Sequence, residues 1–133
     1  MVKILLIEDV ASHQHLICHC LRAHDYEVVV AADGRSGLCE AQQSADEIEL
    51  ILLDIKLPEM DGWDLAEQLK ANVRTRHIPI IAVTAYAMPA DGQQAIAAGC
   101  DDYTSKPIDF CELVDKVRTW TAHVRPRELP AAV

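Results

Sequence analysis

Short apolar runs rich in β-branched residues alternate along this chain with stretches whose apolar positions recur at helical spacing. The segment from Lys3 to Ile7 reads as a strand, and that from Ser12 to His24 as a helix with Leu16, Ile17, Cys20 and Leu21 on one face. A second strand is expected over Glu27 to Ala31. An Asp33-Gly34 turn follows, and then a helix over Arg35 to Gln43. The very apolar run Leu50 to Leu53 predicts a third strand, and Trp63 to Ala71, after Gly62, a third helix. A fourth strand is expected over Ile80 to Val83, with Pro79 at its first position, where proline is tolerated. Pro89 to Ala98 reads as a helix stopped by Gly99. Asp102 to Thr104 reads as a short fifth strand. The last helix is expected over Asp109 to Thr121, with Asp109 and Glu112 at capping-box spacing and an apolar stripe of Phe110, Leu113, Val114, Val117 and Trp120.

Five strand-helix units in series predict an α/β fold, a doubly wound parallel sheet with helices on both faces. Runs such as Ile4-Leu5-Leu6-Ile7 and Leu50-Ile51-Leu52-Leu53 are apolar at every position, as parallel strands covered on both faces should be. In such sheets the functional crevice lies beyond the carboxyl ends of the strands. Glu8 and Asp9 follow the first strand, Asp54 the third, Thr84 the fourth, and Ser105, Lys106 and Pro107 the fifth. Any one of these alone is an ordinary polar loop residue. Together they put three carboxylates, a hydroxyl and a lysine around one crevice.

Three clustered carboxylates repel one another and call for a proton or a cation, and hard oxygen ligands suit Mg²⁺. The charges of Glu8, Asp9, Asp54 and Lys106 balance only with a divalent ion added. A phosphoryl group on Asp54 would meet the metal, Lys106 and the Thr84 hydroxyl, which is what phosphoryl transfer requires of its surroundings. A carboxylate nucleophile gives an acyl phosphate, hydrolysable and suited to a transient signal.

Size and composition are consistent with this reading. The 133 residues fit one domain, expected to run from 1 to 123, with 124–133 as a tail or linker stub. The formal net charge of −9 argues against unassisted binding to nucleic acid or anionic membrane. The first apolar run stops at Glu8, too short for a signal peptide, so a cytoplasmic location is expected. Five cysteines without a CxxC pair suggest buried thiols rather than disulfides.

The motifs IEDV, ILLDIKLPEMDGWDL, PIIAVTAYA and GCDDYTSKPID, in that order, resemble the receiver domain of two-component response regulators over roughly Val2 to Thr121. Within that family the chain is most similar to stand-alone receivers of the DivK type, or to receivers excised from hybrid kinases. The resemblance implies a flavodoxin-like (βα)5 three-layer sandwich with strand order 2-1-3-4-5. It implies that Asp54 is the phosphoacceptor, that Asp9 ligates Mg²⁺ directly with Glu8 acting mainly through water, and that Lys56 offers its backbone carbonyl to the metal. Thr84 and Tyr103 would be the switch pair, Lys106 the phosphate-pairing lysine, and the Lys106-Pro107 bond cis. Asp61-Gly62 would be the turn into the third helix. A histidine kinase or histidine phosphotransfer protein would be the donor. The fourth helix, fifth strand and fifth helix would form the surface read by a downstream protein partner. A monomer or weak dimer without DNA-binding output is expected. Val10 departs from the polar residue common in relatives, and Lys56 and Tyr86 should tune water access to the acceptor.

Two other functions compete. An aspartyl-nucleophile phosphatase would need a second Asp two residues after Asp54, where Lys56 stands. A phosphorylation-independent interaction module would not need the acidic pocket. Among the other residues, His13, His15, His19 and His24 crowd the first helix. His15 and His19 at i, i+4 spacing could hold zinc, although a solvated or partner-facing helix accounts for them more simply. Trp63 and Trp120 read as packing residues.

Overall fold

The computed structural model describes residues 1–57, 59–84 and 89–124; Tyr86 and the expected tail beyond Val124 lie outside them. Ten elements alternate: β1 (Lys3–Ile7), α1 (Ala11–Ala23), β2 (Glu27–Ala31), α2 (Gly34–Gln43), β3 (Ile48–Asp54), α3 (Gly62–Ala71), β4 (Ile80–Thr84), α4 (Pro89–Ala97), β5 (Asp102–Ser105) and α5 (Phe110–Val124). The five strands are parallel throughout and lie in the order β2-β1-β3-β4-β5. The order reverses between β1 and β3, so their carboxyl ends flank the crevice where an α/β sheet places its site.

Alternate residues of the strands feed two cores. Leu5, Ile7, Ile51 and Leu53 point to one side and pack with Ala41 of α2, Leu65 and Leu69 of α3 and Ala95 of α4. Ile4, Leu6, Leu50, Leu52 and Ile81 point to the other and meet Ile17 and Leu21 of α1 and Leu113 and Val117 of α5. The all-apolar strand runs therefore serve two layers at once.

The element boundaries differ in instructive ways. β3 extends through Asp54, which pairs in register with Val83, so the strand delivers the carboxylate itself rather than ending before it. α1 begins at Ala11, one residue early, and its N-cap Val10 has no side-chain acceptor to offer. The helix is also turned from the expected face: Ile17, Cys18 and Leu21 are buried, whereas Leu16 is 57% exposed. Asp109 accepts the backbone N–H groups of Cys111 and Glu112, half of the expected capping box. Glu112 instead faces Lys116 at 3.6 Å. At the end of α4, Gly99 takes φ +98°, the left-handed conformation that glycine adopts without steric cost.

Candidate functional site

The Glu8 backbone continues the β1–β2 ladder, its N–H donating to Ala31 O at 3.0 Å, so the residue is fixed before its side chain is considered. That side chain is 1% exposed. Its Oε2 accepts the Val10 N–H at 3.1 Å, and its Oε1 faces Lys106 Nζ at 3.2 Å. Asp54, also buried, has a different partner on each oxygen. Oδ1 accepts the backbone N–H of Lys56 at 3.0 Å, and Oδ2 accepts from Lys106 Nζ at 3.1 Å. Asp9 is exposed at the rim. Carboxylate oxygens of Glu8, Asp9 and Asp54 all come within 4.8 Å of one another, the only such group of potential metal ligands among the described residues. Three hard oxygen donors at that spacing, two of them buried, fit a small divalent cation. The exposed His15 and His19 of α1 join no group of this kind.

The electrostatics point the same way. Burial pushes the Glu8 carboxyl above its ordinary value, and its hydrogen bond with Asp54 adds to the rise; the Val10 N–H and Lys106 oppose it without cancelling it. For Lys106 burial works downward, but Asp54 and then Glu8 outweigh it, and the net shift is upward. The ammonium is thus kept charged, while the acids around it remain short of positive charge.

The turn after Asp54 is shaped by its glycine. The Gly62 N–H donates to Ile55 O at 3.1 Å, and Lys56 bridges Asp61 across the turn. A Cβ on Gly62 would overlap the Ile55 backbone, so glycine alone allows this closure beside the acceptor. Asp61 then caps α3, accepting the Trp63 N–H at 2.9 Å. Thr84 is buried at the end of β4, level with Ser105 of β5, and its carbonyl accepts the Lys106 N–H at 2.7 Å. The Lys106-Pro107 peptide is cis. Glu8, Asp9, Asp54, Thr84 and Lys106 therefore come together at one edge of the sheet.

The sequence profile of the response regulator receiver domain matches residues 4–118. The chain belongs to the response regulator receiver family. This receiver is 37% identical over 119 residues to response regulator PleD of Caulobacter vibrioides, covering 90% of this chain and 26% of that protein. It thus spans about a quarter of that relative's length. It is 33% identical to the polar-differentiation response regulator DivK of Brucella anthropi, covering 89% of this chain and 94% of DivK. Among solved structures, the receiver superposes on the chemotaxis protein CheY4 of Vibrio cholerae with a TM-score of 0.82, at 28% identity, covering 90% and 98% of the two chains. The receiver domain of a signal transduction histidine kinase from Syntrophus aciditrophicus gives 0.84 at 29% identity, covering 94% and 93%. Membership supports a phosphoacceptor role in signalling.

Three residues join the neighbourhood unannounced by the sequence. His13 Nδ1 lies 3.1 Å from Lys106 Nζ and 3.5 Å from Glu8 Oε1. Gln14 Nε2 donates to Glu8 O at 2.6 Å. Lys116 Nζ sits 5.5 Å from the centre of the half-buried Tyr103 ring and donates to Tyr103 O at 2.7 Å. For His13 and Gln14 a signal existed, since the first turn of a helix directly after an acidic pair has to lie over the same crevice.

Proposed function

We propose that this chain is a phosphoryl-accepting switch in which Asp54 takes a phosphoryl group from a histidine of a kinase or phosphotransfer protein, with Mg²⁺ in the acidic site. One observation carries the reading: three strand-end carboxylates converge on a site whose lysine bridges two of them. Glu8, Asp9 and Asp54 would hold the ion, with the Lys56 carbonyl as the family resemblance implies. Bound there, it supplies positive charge to the oxygens of the arriving phosphoryl group.

The two oxygens of Asp54 have unequal roles. Oδ1 is tied to a backbone N–H and stays put; Oδ2 is held only by a movable side chain. Oδ2 is therefore the oxygen that Lys106 can release for attack. A bond forms from Oδ2 to phosphorus as the donor's P–N bond breaks, and the electron pair leaves with the imidazole. Lys106, kept protonated by its neighbours, then pairs with the phosphoryl oxygens. The buried Thr84 hydroxyl donates to the same group. Tyr103 follows it, and the surface formed by α4, β5 and α5 changes for a downstream protein partner.

The chain acts as a stoichiometric acceptor rather than a turnover enzyme, because Lys56 occupies the position where an aspartyl phosphatase needs its general acid. The test is labelling with acetyl phosphate or phosphoramidate in Mg²⁺. Wild type should gain one phosphoryl group that base and hydroxylamine remove, and Asp54→Asn should gain none. Equal labelling of the variant, or turnover of a phosphomonoester, would sink the proposal.

A further inference from the structure

We infer that His13 is a positioning residue for Lys106, holding its ammonium at the mouth of the pocket while the acidic partners of that lysine are engaged elsewhere. The inference rests on the phosphoacceptor reading above. Lys106 Nζ has three N–H donors and meets three acceptors: Asp54 Oδ2 at 3.1 Å, Glu8 Oε1 at 3.2 Å and His13 Nδ1 at 3.1 Å. The two carboxylates are the groups that a cation and a phosphoryl group would claim. Once Asp54 Oδ2 is the bridging oxygen of an acyl phosphate it is no longer a carboxylate partner, and Glu8 would be claimed by a cation bound in the acidic site. His13 is the one acceptor of the three that neither event consumes.

A lysine carries a long flexible stem, and ordering it costs conformational entropy. A fixed acceptor at the rim confines the ammonium to the volume where phosphoryl oxygens arrive, so less ordering remains for the transition state. In the Nε2–H tautomer Nδ1 offers the lone pair that this contact needs, and the ring adds no carboxylate to the site. A fourth carboxylate there would deepen the negative field that already opposes an anionic phosphodonor. The mount is rigid as well. His13 is the third residue of α1, one turn past Glu8, and with Lys106, Ile17, Pro107 and Phe110 it lines a largely apolar cavity of about 210 Å³.

The test measures loading by phosphoramidate at saturating Mg²⁺ for wild type, His13→Leu and His13→Asn, each with and without Lys106→Ala. Mg²⁺ affinity is measured separately by titration calorimetry, and the ¹⁵N signal of the Lys106 ammonium is recorded in the unphosphorylated proteins. The His13 side chain is 40% exposed, so both replacements should leave the fold intact. Loss of one hydrogen bond to a charged group should slow loading of His13→Leu about tenfold with Mg²⁺ affinity unchanged. His13→Asn, whose Oδ1 can take the place of Nδ1, should return to within about twofold of wild type. On the Lys106→Ala background, His13→Leu should have no additional effect. The ammonium signal should persist in wild type and His13→Asn and vanish in His13→Leu. A wild-type loading rate in His13→Leu, or the same slowing with and without Lys106, would overturn the inference. If wild type accepts no phosphoryl group at all, the phosphoacceptor reading fails by itself, and an unchanged ammonium signal in His13→Leu would still refute the His13–Lys106 coupling.

Discussion

Single residues here owe their behaviour to the partners the fold gives them. Asp102 is half-buried, and burial works to raise its pKa. Hydrogen bonds from Trp120 Nε1 at 3.0 Å and Lys116 Nζ at 2.9 Å outweigh it, so the net shift is downward from 3.8. A depressed folded-state pKa means that the carboxylate stabilises the fold fully above the ordinary value and loses this effect as pH falls through the folded one. Asp102→Asn should therefore cost about 1–2 kcal/mol at pH 7, and the gap to wild type should close below about pH 3.8 in urea titrations. Trp120, read from the sequence as packing alone, is thus also a donor, a role that no periodicity encodes. The cysteines divide by burial rather than sharing one fate. All five are free, with Cys18 and Cys100 buried but Cys39 and Cys111 exposed. Burial, aided by Asp101, pushes the Cys100 thiol up to about 12. Iodoacetamide at pH 8 should modify Cys39 and Cys111 in the native protein and spare Cys100, as peptide mass mapping would show.

At the scale of elements, the sequence carried the order and type of every strand and helix, because two-sided burial leaves unbroken apolar runs and one-sided burial leaves stripes. It also carried Glu8, Asp9, Asp54, Thr84 and Lys106, because the strand ends are marked by the step from apolar to polar. It did not carry which helix face turns inward. Leu16 and Cys18 lie two positions apart on α1, and only the packing of α1 against β1 and α5 decides that Cys18 goes in. Nor did it carry His13, whose contact spans 93 residues of chain. The turn between β3 and α3 is the element most exposed to a single change. Gly62→Ala would force a methyl group into the Ile55 backbone and should cost about 3 kcal/mol. Because Ile55 follows Asp54 directly, the variant should also slow phosphoryl loading, measured beside its lowered melting temperature.

For the whole molecule, the acidic site is a local weakness that a ligand can remove. Lys106 pairs with two of the three clustered carboxylates, Glu8 and Asp54, and Glu8 is still held above its ordinary pKa. A cation bound only by the folded chain stabilises it by mass action, by about 1.4 kcal/mol at about tenfold over its Kd. Thermal unfolding should therefore shift upward with Mg²⁺ in wild type and much less in Asp9→Asn; equal shifts in the two would remove Asp9 from the metal site. No described helix is long and apolar enough to cross a membrane.

The ion pair between Lys106 and Glu8 joins residues 98 positions apart. A ribosome delivers the acids before their counter-charge. Until Lys106 has emerged and β5 has docked beside β4, the nascent chain has carboxylates without the lysine that pairs with them. The site therefore gains its lysine only when β5 takes its place in the sheet.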